Sequence, residues 1–302
     1  MKRIYIITIT ILILLSMLIC ISGCERRDLY DIPTGKLYIK INWQQEKDKS
    51  EFFYVVLYPR NNNNEVIKEF IESNGGEILV PRGIYDVLIY SYNYESIIVN
   101  LTNSFTSSYA TTSAITSNLI YKNGNSKDEQ ILNGTDSIFY IGKYEGINIE
   151  RADNNYEIEI TPKNIIKNYE IKIKVVNKES VSSVSGVLSG FSGSYLLGVQ
   201  ALENNSVSIY SEAYFSNDWL ILPINTFGIV GSCSNHTLTL KFTLLNGEKQ
   251  TKSFDIKNNV NAIPNGGIII LDSTIVIPIV TGGGIGGTVG NWGDEEGVEI
   301  VL

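Results

Sequence analysis

Residues 155–176 read NYEIEITPKNIIKNYEIKIKVV, and the reading of this stretch decides the fold. Tyr156, Ile158 and Ile160 alternate with Glu157 and Glu159. After an interruption, Tyr169, Ile171, Ile173 and Val175 alternate with Glu170, Lys172 and Lys174. A period of two puts the apolar side chains on one face of a strand and the charges on the other. Both runs are therefore strands with one buried face. Between them lies Pro162-Lys163-Asn164, and proline lacks the N–H that a ladder needs. The domain boundary is expected there, which leaves about 140 residues on each side, an ordinary domain size.

The same alternation extends in both directions. Leu37, Ile39, Ile41 and Trp43 alternate with Lys36, Lys40 and Asn42; Phe53, Val55 and Leu57 follow, and Asn61 to Asn64 form a polar loop. Glu77 to Val80 runs into Pro81-Arg82-Gly83, after which Tyr85, Val87 and Ile89 resume the pattern. The fixed φ of proline and the freedom of glycine make this passage read as a hairpin. Further strands are expected at Leu238 to Leu245, Lys252 to Ile256, Ile268 to Leu271 and Thr274 to Ile277. Asn246-Gly247 is a turn of the kind that requires positive φ. Helix is sparse: Lys178 to Leu188 puts Val181, Val184, Val187 and Leu188 on one helical face, diluted by serines. Residues 100–137, rich in Ser, Thr and Asn, read as a long loop or irregular insertion of the first domain. Gly282 to Gly287 reads as a hinge before a last strand, Val298 to Leu302.

The start of the chain is a leader. Lys2 and Arg3 precede an almost wholly apolar run, Ile4 to Ile21, which closes with Ser22-Gly23 directly before Cys24. Roughly 18 apolar residues could just span a bilayer. The small residues before a cysteine instead match a bacterial lipobox, in which residues 1–23 are removed and the Cys24 thiol carries a thioether-linked diacylglycerol. Removing Lys2 and Arg3 from 24 cations leaves 22 against 32 acids, a net charge of −10. Such a chain is repelled by nucleic acid and by anionic lipid surfaces. Once Cys20 leaves with the leader and Cys24 is acylated, Cys233 stands alone, so no intramolecular disulfide forms.

Little of the remainder points to chemistry. His236 is the single histidine and sits in the polar run Ser234-Asn235-His236-Thr237, which reads as an exposed turn. One histidine and one cysteine cannot fill a zinc site, and no spacing of acids singles out a catalytic pair. Neither a catalytic residue nor a metal or small-molecule cofactor is expected. Asp294-Glu295-Glu296 reads as a solvated turn or a loose calcium site. Gly282–Gly287 lacks the Lys-Ser/Thr pair of a phosphate loop. Tyr90, Tyr92 and Tyr94 recur at every second position, either as a cross-strand packing ladder or as a platform for sugar rings. Asp136-Ser137-Ile138 and Asp272-Ser273-Thr274 fit an Asp-Ser/Thr-apolar pattern for O-glycosylation, so Ser137 and Ser273 are candidate acceptors.

Several passages taken together resemble the fimbrillin-like lipoproteins of Bacteroides-type bacteria, related to the anchor subunits of type V pili. They are Cys24 with Leu29-Tyr30, Ile41-Asn42-Trp43, Val80-Pro81-Arg82-Gly83-Ile84-Tyr85 with Tyr92-Asn93, and Val184-Ser185-Gly186-Val187-Leu188-Ser189-Gly190. Leu244-Leu245-Asn246-Gly247 with Phe254-Asp255-Ile256, and the ending Gly282-Gly283-Gly284 … Asn291-Trp292 … Val298-Glu299-Ile300, complete the pattern. The resemblance implies an all-β chain with two tandem transthyretin-like (Greek-key) β-sandwich domains, residues 24–162 and 163–302, after the leader 1–23. It implies a lipid anchor at Cys24 in the outer membrane, facing the cell surface rather than the periplasm, and fimbrial subunits as partners. Such subunits join by strand exchange. The candidate for exchange here is Val298, Glu299, Ile300, Val301 and Leu302, whose other reading is an ordinary edge strand. The rival function is an outer-membrane lipoprotein that captures a glycan.

Overall fold

The computed structural model describes residues 34–44, 46–61, 65–115, 130–151, 154–231 and 235–280. The leader, Cys24, Cys233, the glycine hinge, Asp294–Glu296 and Val298–Leu302 lie outside the described residues. The chain is all-β, with two curled sheets that form sandwiches.

The first sheet is built from β1 (Thr34–Ile41), β2 (Phe52–Pro59), β3 (Ile67–Glu72), β4 (Gly75–Pro81) and β5 (Gly83–Ser91). Three short strands intervene, β6 (Ile97–Asn100), β7 (Tyr109–Thr112) and β8 (Ile131–Asn133). Then come β9 (Tyr140–Ile149), β10 (Asn155–Ile160) and β11 (Lys163–Asn164). The order is β10-β1-β4-β3-β2-β5-β9-β11. Alternation buries Leu37 and Ile39 of β1, Phe53 and Val55 of β2 and Ile158 of β10 in one core cluster. Strands from both ends of the sheet share that cluster, so the sheet folds over on itself. Trp43 closes one end: its indole N–H donates to the Ser73 carbonyl at 2.7 Å, and its ring meets Tyr140 edge-on at 5.1 Å.

The expected hairpin at Pro81-Arg82-Gly83 is corrected by this order. β4 pairs with β1 and β3, whereas β5 pairs with β2 and β9. The chain crosses from one half of the sandwich to the other at Arg82, so β2-β3-β4 followed by a return beside β2 is a Greek key. Proline and glycine make the corner but do not decide which strand comes next. The turn from β3 into β4 is tighter. Gly75 has φ +112°, and a Cβ there would lie 2.0 Å from the Ile39 carbonyl oxygen.

The second sheet comprises β12 (Lys167–Val176), β13 (Val181–Ser192), β16 (Ser206–Ser216), β17 (Trp219–Thr226), β18 (Thr237–Leu244), β19 (Lys249–Asp255) and β20 (Gly267–Val276). Its order is β19-β18-β13-β16-β17-β12-β20. The expected helix over Lys178–Leu188 is a strand instead: a single 3-10 turn, Lys178–Ser180, leads into β13. Its valines and serines favour the pleated surface, and pairing with β16 and β18 on both sides overrides a weak helical moment. The one α-helix among the described residues, α1 (Lys257–Ala262), precedes β20. Ile268–Leu271 and Thr274–Val276 belong to the single strand β20, with Ile277 just past its end, and a bulge interrupts it where the register with β12 shifts between Lys172 and Lys174.

Residues 100–137 also depart from the expected insertion. β6 and β7 join β14 (Ser194–Leu196) and β15 (Ala201–Leu202) in a four-stranded sheet, and β8 pairs in parallel with β16. Strands that precede Pro162 in sequence thus pair with strands that follow it. This layer covers the second face of the first sheet, which explains why Val55 to Tyr58 and Val87 to Ser91 are buried without alternation. Val56, Leu88, Phe105, Phe139, Ile166 and Leu197 are among the residues that meet in this third core.

Candidate functional site

The described chain offers two kinds of surface: open sheet edges and half-exposed aromatic side chains. A free edge presents unpaired N–H and C=O groups, and charge on the strand is one means of blocking it. At one edge of the second sheet, β19 carries Lys249 and Lys252 and has no buried residue. At the opposite edge β20 is different. Among the described residues it pairs only with β12, and its exposed side chains include Ile268 (60% exposed), Ile270 (54%) and Val276 (63%), with Asp272 the one charge on the strand. The triple Ile268-Ile269-Ile270 is the sequence signal for this edge, because three consecutive isoleucines make both faces of a strand apolar. On the neighbouring surface, the Lys174 ammonium lies 5.5 Å from the Trp219 ring centre.

The chain leaves β20 through a fastened exit. The Ile277 N–H donates to the Val176 carbonyl at 3.1 Å, the Asn177 side-chain amide donates to the Ile277 carbonyl at 2.7 Å, and the Val280 N–H donates to Ser180 Oγ at 3.0 Å. Val298–Leu302 follows in sequence and lies outside the described residues.

Tyr90, Tyr92 and Tyr94 do not form one exposed row. Tyr90 is buried; its ring stacks on Tyr54 at 5.0 Å, directly across the β2–β5 ladder, and burial pushes its phenol well above the ordinary range. Tyr94 meets Phe139 edge-on at 5.3 Å. Tyr92 stays exposed, 5.3 Å from Tyr54 and 5.7 Å from the exposed Phe70. Packing accounts for Tyr90 and Tyr94, and the accessible aromatic faces are those of Tyr92 and Phe70.

His236 is a correction. It is fully buried rather than in an exposed turn: Nδ1 lies 2.9 Å from the Ser189 carbonyl oxygen, and the ring packs 5.6 Å from Phe191. The carbonyl can only accept, so Nδ1 carries the proton, and the buried Nε2 has no partner. The polar run around His236 concealed a position closed by Gly190 and β13. Among the described residues no three His, Cys, Asp or Glu side chains gather as a metal site, and no helix is long and apolar enough to cross a membrane.

Of the two candidate glycosylation positions, Ser137 is exposed, beside an Asp136 carboxylate that accepts the Glu95 and Ser96 N–H groups. Ser273 is half-buried on the β20 bulge. An open cleft of about 600 Å³ is lined by residues that include Glu95, Asn133, Thr135, Tyr210, Glu212 and Asn225, with no cationic side chain among them.

Comparison with known proteins places this architecture. Residues 23–212 match the family described as "Domain of unknown function (DUF5119)". A protein of Bacteroides ovatus named "Putative fimbrium anchoring subunit Fim4B" is 27% identical over 330 aligned positions, covering 96% of this chain and 97% of its own length. A crystal structure of a "putative adhesin" from the same species superposes with a TM-score of 0.64 at 22% identity, over 86% of this chain and 98% of that one. Another "putative adhesin" of that species gives 0.50 at 10% identity, over 85% and 93%. At these identities the superpositions bear on the fold alone.

Proposed function

The chain belongs to the DUF5119 family, and from that premise we propose that it is a lipid-anchored structural protein of the cell envelope, a fimbrial anchor or minor subunit. The observation that carries this reading is the likeness to a named fimbrium anchoring subunit along 96% of the chain. A likeness that runs from end to end covers both sandwiches, not one widely shared module. In this proposal residues 1–23 are a leader, 24–162 and 163–302 are two domains, and Cys24 carries the lipid that holds the protein in the outer membrane, facing the cell surface. Its role is mechanical and adhesive rather than catalytic.

Partners join by strand exchange through Val298–Leu302. Two features support this. The preceding strand β20 is an edge with isoleucines facing out and Asp272 as its one charged residue, the kind of edge that strand addition covers. The segment that would be exchanged begins 22 residues after β20 ends at Val276, long enough to reach a neighbouring subunit. Ser137, the more exposed of the two serines, is the better placed to carry a glycan. Intact mass of the mature protein tests that part, since a mass accounted for by polypeptide and lipid alone removes it.

The deciding experiment compares wild type, Cys24→Ala and a deletion of Val298–Leu302 in cells that make the cognate fimbriae. Cys24→Ala is expected to move the protein from the membrane fraction to the soluble fraction. The deletion is expected to leave the protein in the membrane while fibres lengthen or are shed. Unchanged fibre length, anchoring and incorporation in the deletion strain would end the strand-exchange proposal.

A further inference from the structure

Each sandwich sets its first long strand beside its last long strand, and the two run in the same direction. In the first, β1 pairs with β10 in parallel over Lys36–Ile41 and Asn155–Ile160. In the second, β12 pairs with β20 in parallel, from Tyr169 with Gly267 to Val176 with Val276. In both, the last long strand is at the edge of the sheet, and the first strand is interior, flanked on its other side by β4 or β17. We infer that this repeated closure makes the chain a pair of shear clamps in series, built to carry tension between its two ends.

The argument is one of direction. A pull on the N-terminal side enters β1 at Thr34 and draws it backward along its axis. On the other side only the two-residue pairing of β11 with β9 lies between Lys167 and β10, so once that short bridge yields the load reaches Ile160, the far end of β10, and draws that strand forward. Since the two strands are parallel, the opposed pulls slide one against the other along their common axis. Every ladder hydrogen bond between them is loaded at once, where peeling would break them one after another. The second sandwich repeats this, with entry at Lys167 and exit at Val276.

Side chains reinforce both ladders. Across β1 and β10, the Asn42 side-chain amide donates to the Glu159 carboxylate at 2.6 Å, and the Lys40 ammonium lies 3.1 Å from the same group. At the second exit, Asn177 and Ser180 hold Ile277 and Val280, as described above. Core residues oppose sliding too. Leu37, Ile39, Ile158 and Ile160 are all buried in one cluster, and a slip by one residue would turn each of them toward solvent.

The direction of load rests on the anchoring proposal, with lipid at one end and a partner at the other; the clamp itself rests on strand register. Single-molecule pulling on the mature chain without lipid, in a Cys24→Ala, Cys233→Ser background, separates the two. One variant carries handles on Lys36→Cys and Thr161→Cys, at opposite ends of the β1–β10 ladder. A second carries them on Lys36→Cys and Asn155→Cys, register partners at the same end. The protein and the ladder are the same in both, and only the pulling direction differs. Rupture force is expected to be several-fold greater for the first pair, and pulling from the natural ends is expected to match it. Equal forces for the two pairs would overturn the clamp, whether or not the cell experiment supports anchoring. A high force with no fibre defect in cells would leave the clamp standing and remove the anchor.

Discussion

A Leu197→Ala substitution tests whether the two sandwiches are one folding unit. Leu197 is fully buried in the third core, with Phe105 from the bridging layer, Ile165 and Ile166 from the connecting segment, and Phe227 from the bend just after β17. Burying each of these side chains is worth about 1.5–3 kcal/mol, on the order of 10 kcal/mol for the five before allowing for a partly compact unfolded chain. That is comparable with the roughly 5–15 kcal/mol that stabilises a whole domain. Separating the sandwiches while both stay folded would forfeit nearly as much as unfolding one of them, so they are expected to melt together. Leu197→Ala removes about 2–5 kcal/mol, less than the shared core supplies, and should weaken both without uncoupling them. With a slope near 3 kcal/mol per molar urea, a loss of about 3 kcal/mol moves the midpoint by roughly 1 M. Trp43 reports the first sandwich and Trp219 the second, in a Trp292→Phe background with one or the other kept. Both midpoints should fall equally. If Trp219 shifts while Trp43 stays in place, or if the wild type already shows two midpoints, the third core is a contact and not a coupling.

Three further outcomes follow from single positions. Gly266 has φ +91°, and a Cβ there would lie 2.5 Å from the Asn168 carbonyl oxygen, so Gly266→Ala should destabilise by more than about 1 kcal/mol in thermal unfolding. Trp43→Phe keeps an aromatic ring but leaves the Ser73 carbonyl without its donor, and should cost about 1–3 kcal/mol by urea titration. Burial pushes the phenols of Tyr169 and Tyr140 up to about 12, the latter helped by the Glu46 carboxylate. Each folded-state pKa is raised, so the stability they contribute is intact below pH 10 and is lost as pH rises toward 12. Melting temperature against pH, read with tyrosinate absorbance, should fall across that window; a flat profile would contradict the burial argument.

What the sequence disclosed follows from what alternation can encode. Tyr156 to Ile160 and Tyr169 to Val175 carry their faces in their own residues, so both strands and their buried sides were legible without a partner. β13 was misread because its pattern, with buried Val184, Val187 and Leu188, serves a helix as well as a strand covered on both faces. Arg82 shows a second kind of limit. The corner chemistry of proline and glycine is local, whereas the choice of β2 rather than β4 as the neighbour of β5 depends on strands far along the chain. His236 shows a third, since its burial comes from Ser189 and Phe191 and not from the polar residues beside it.

The property that matters most for a load-bearing protein belongs to none of these local patterns. Nothing in Leu37-Tyr38-Ile39 or in Tyr156-Glu157-Ile158 states that the two will lie side by side, nor that they will run parallel. Direction is set by the number of strand reversals between them, and the Greek key formed by β2 to β5 contributes to that count. The second sandwich, with unrelated residues in β12 and β20, reaches the same parallel closure. Burial does not choose between the two directions, because an antiparallel pair of end strands would bury the same isoleucines equally well; strand topology does. The shared element is where the end strands of each sandwich emerge, and pulling on those ends is the perturbation that tells this arrangement from its antiparallel alternative.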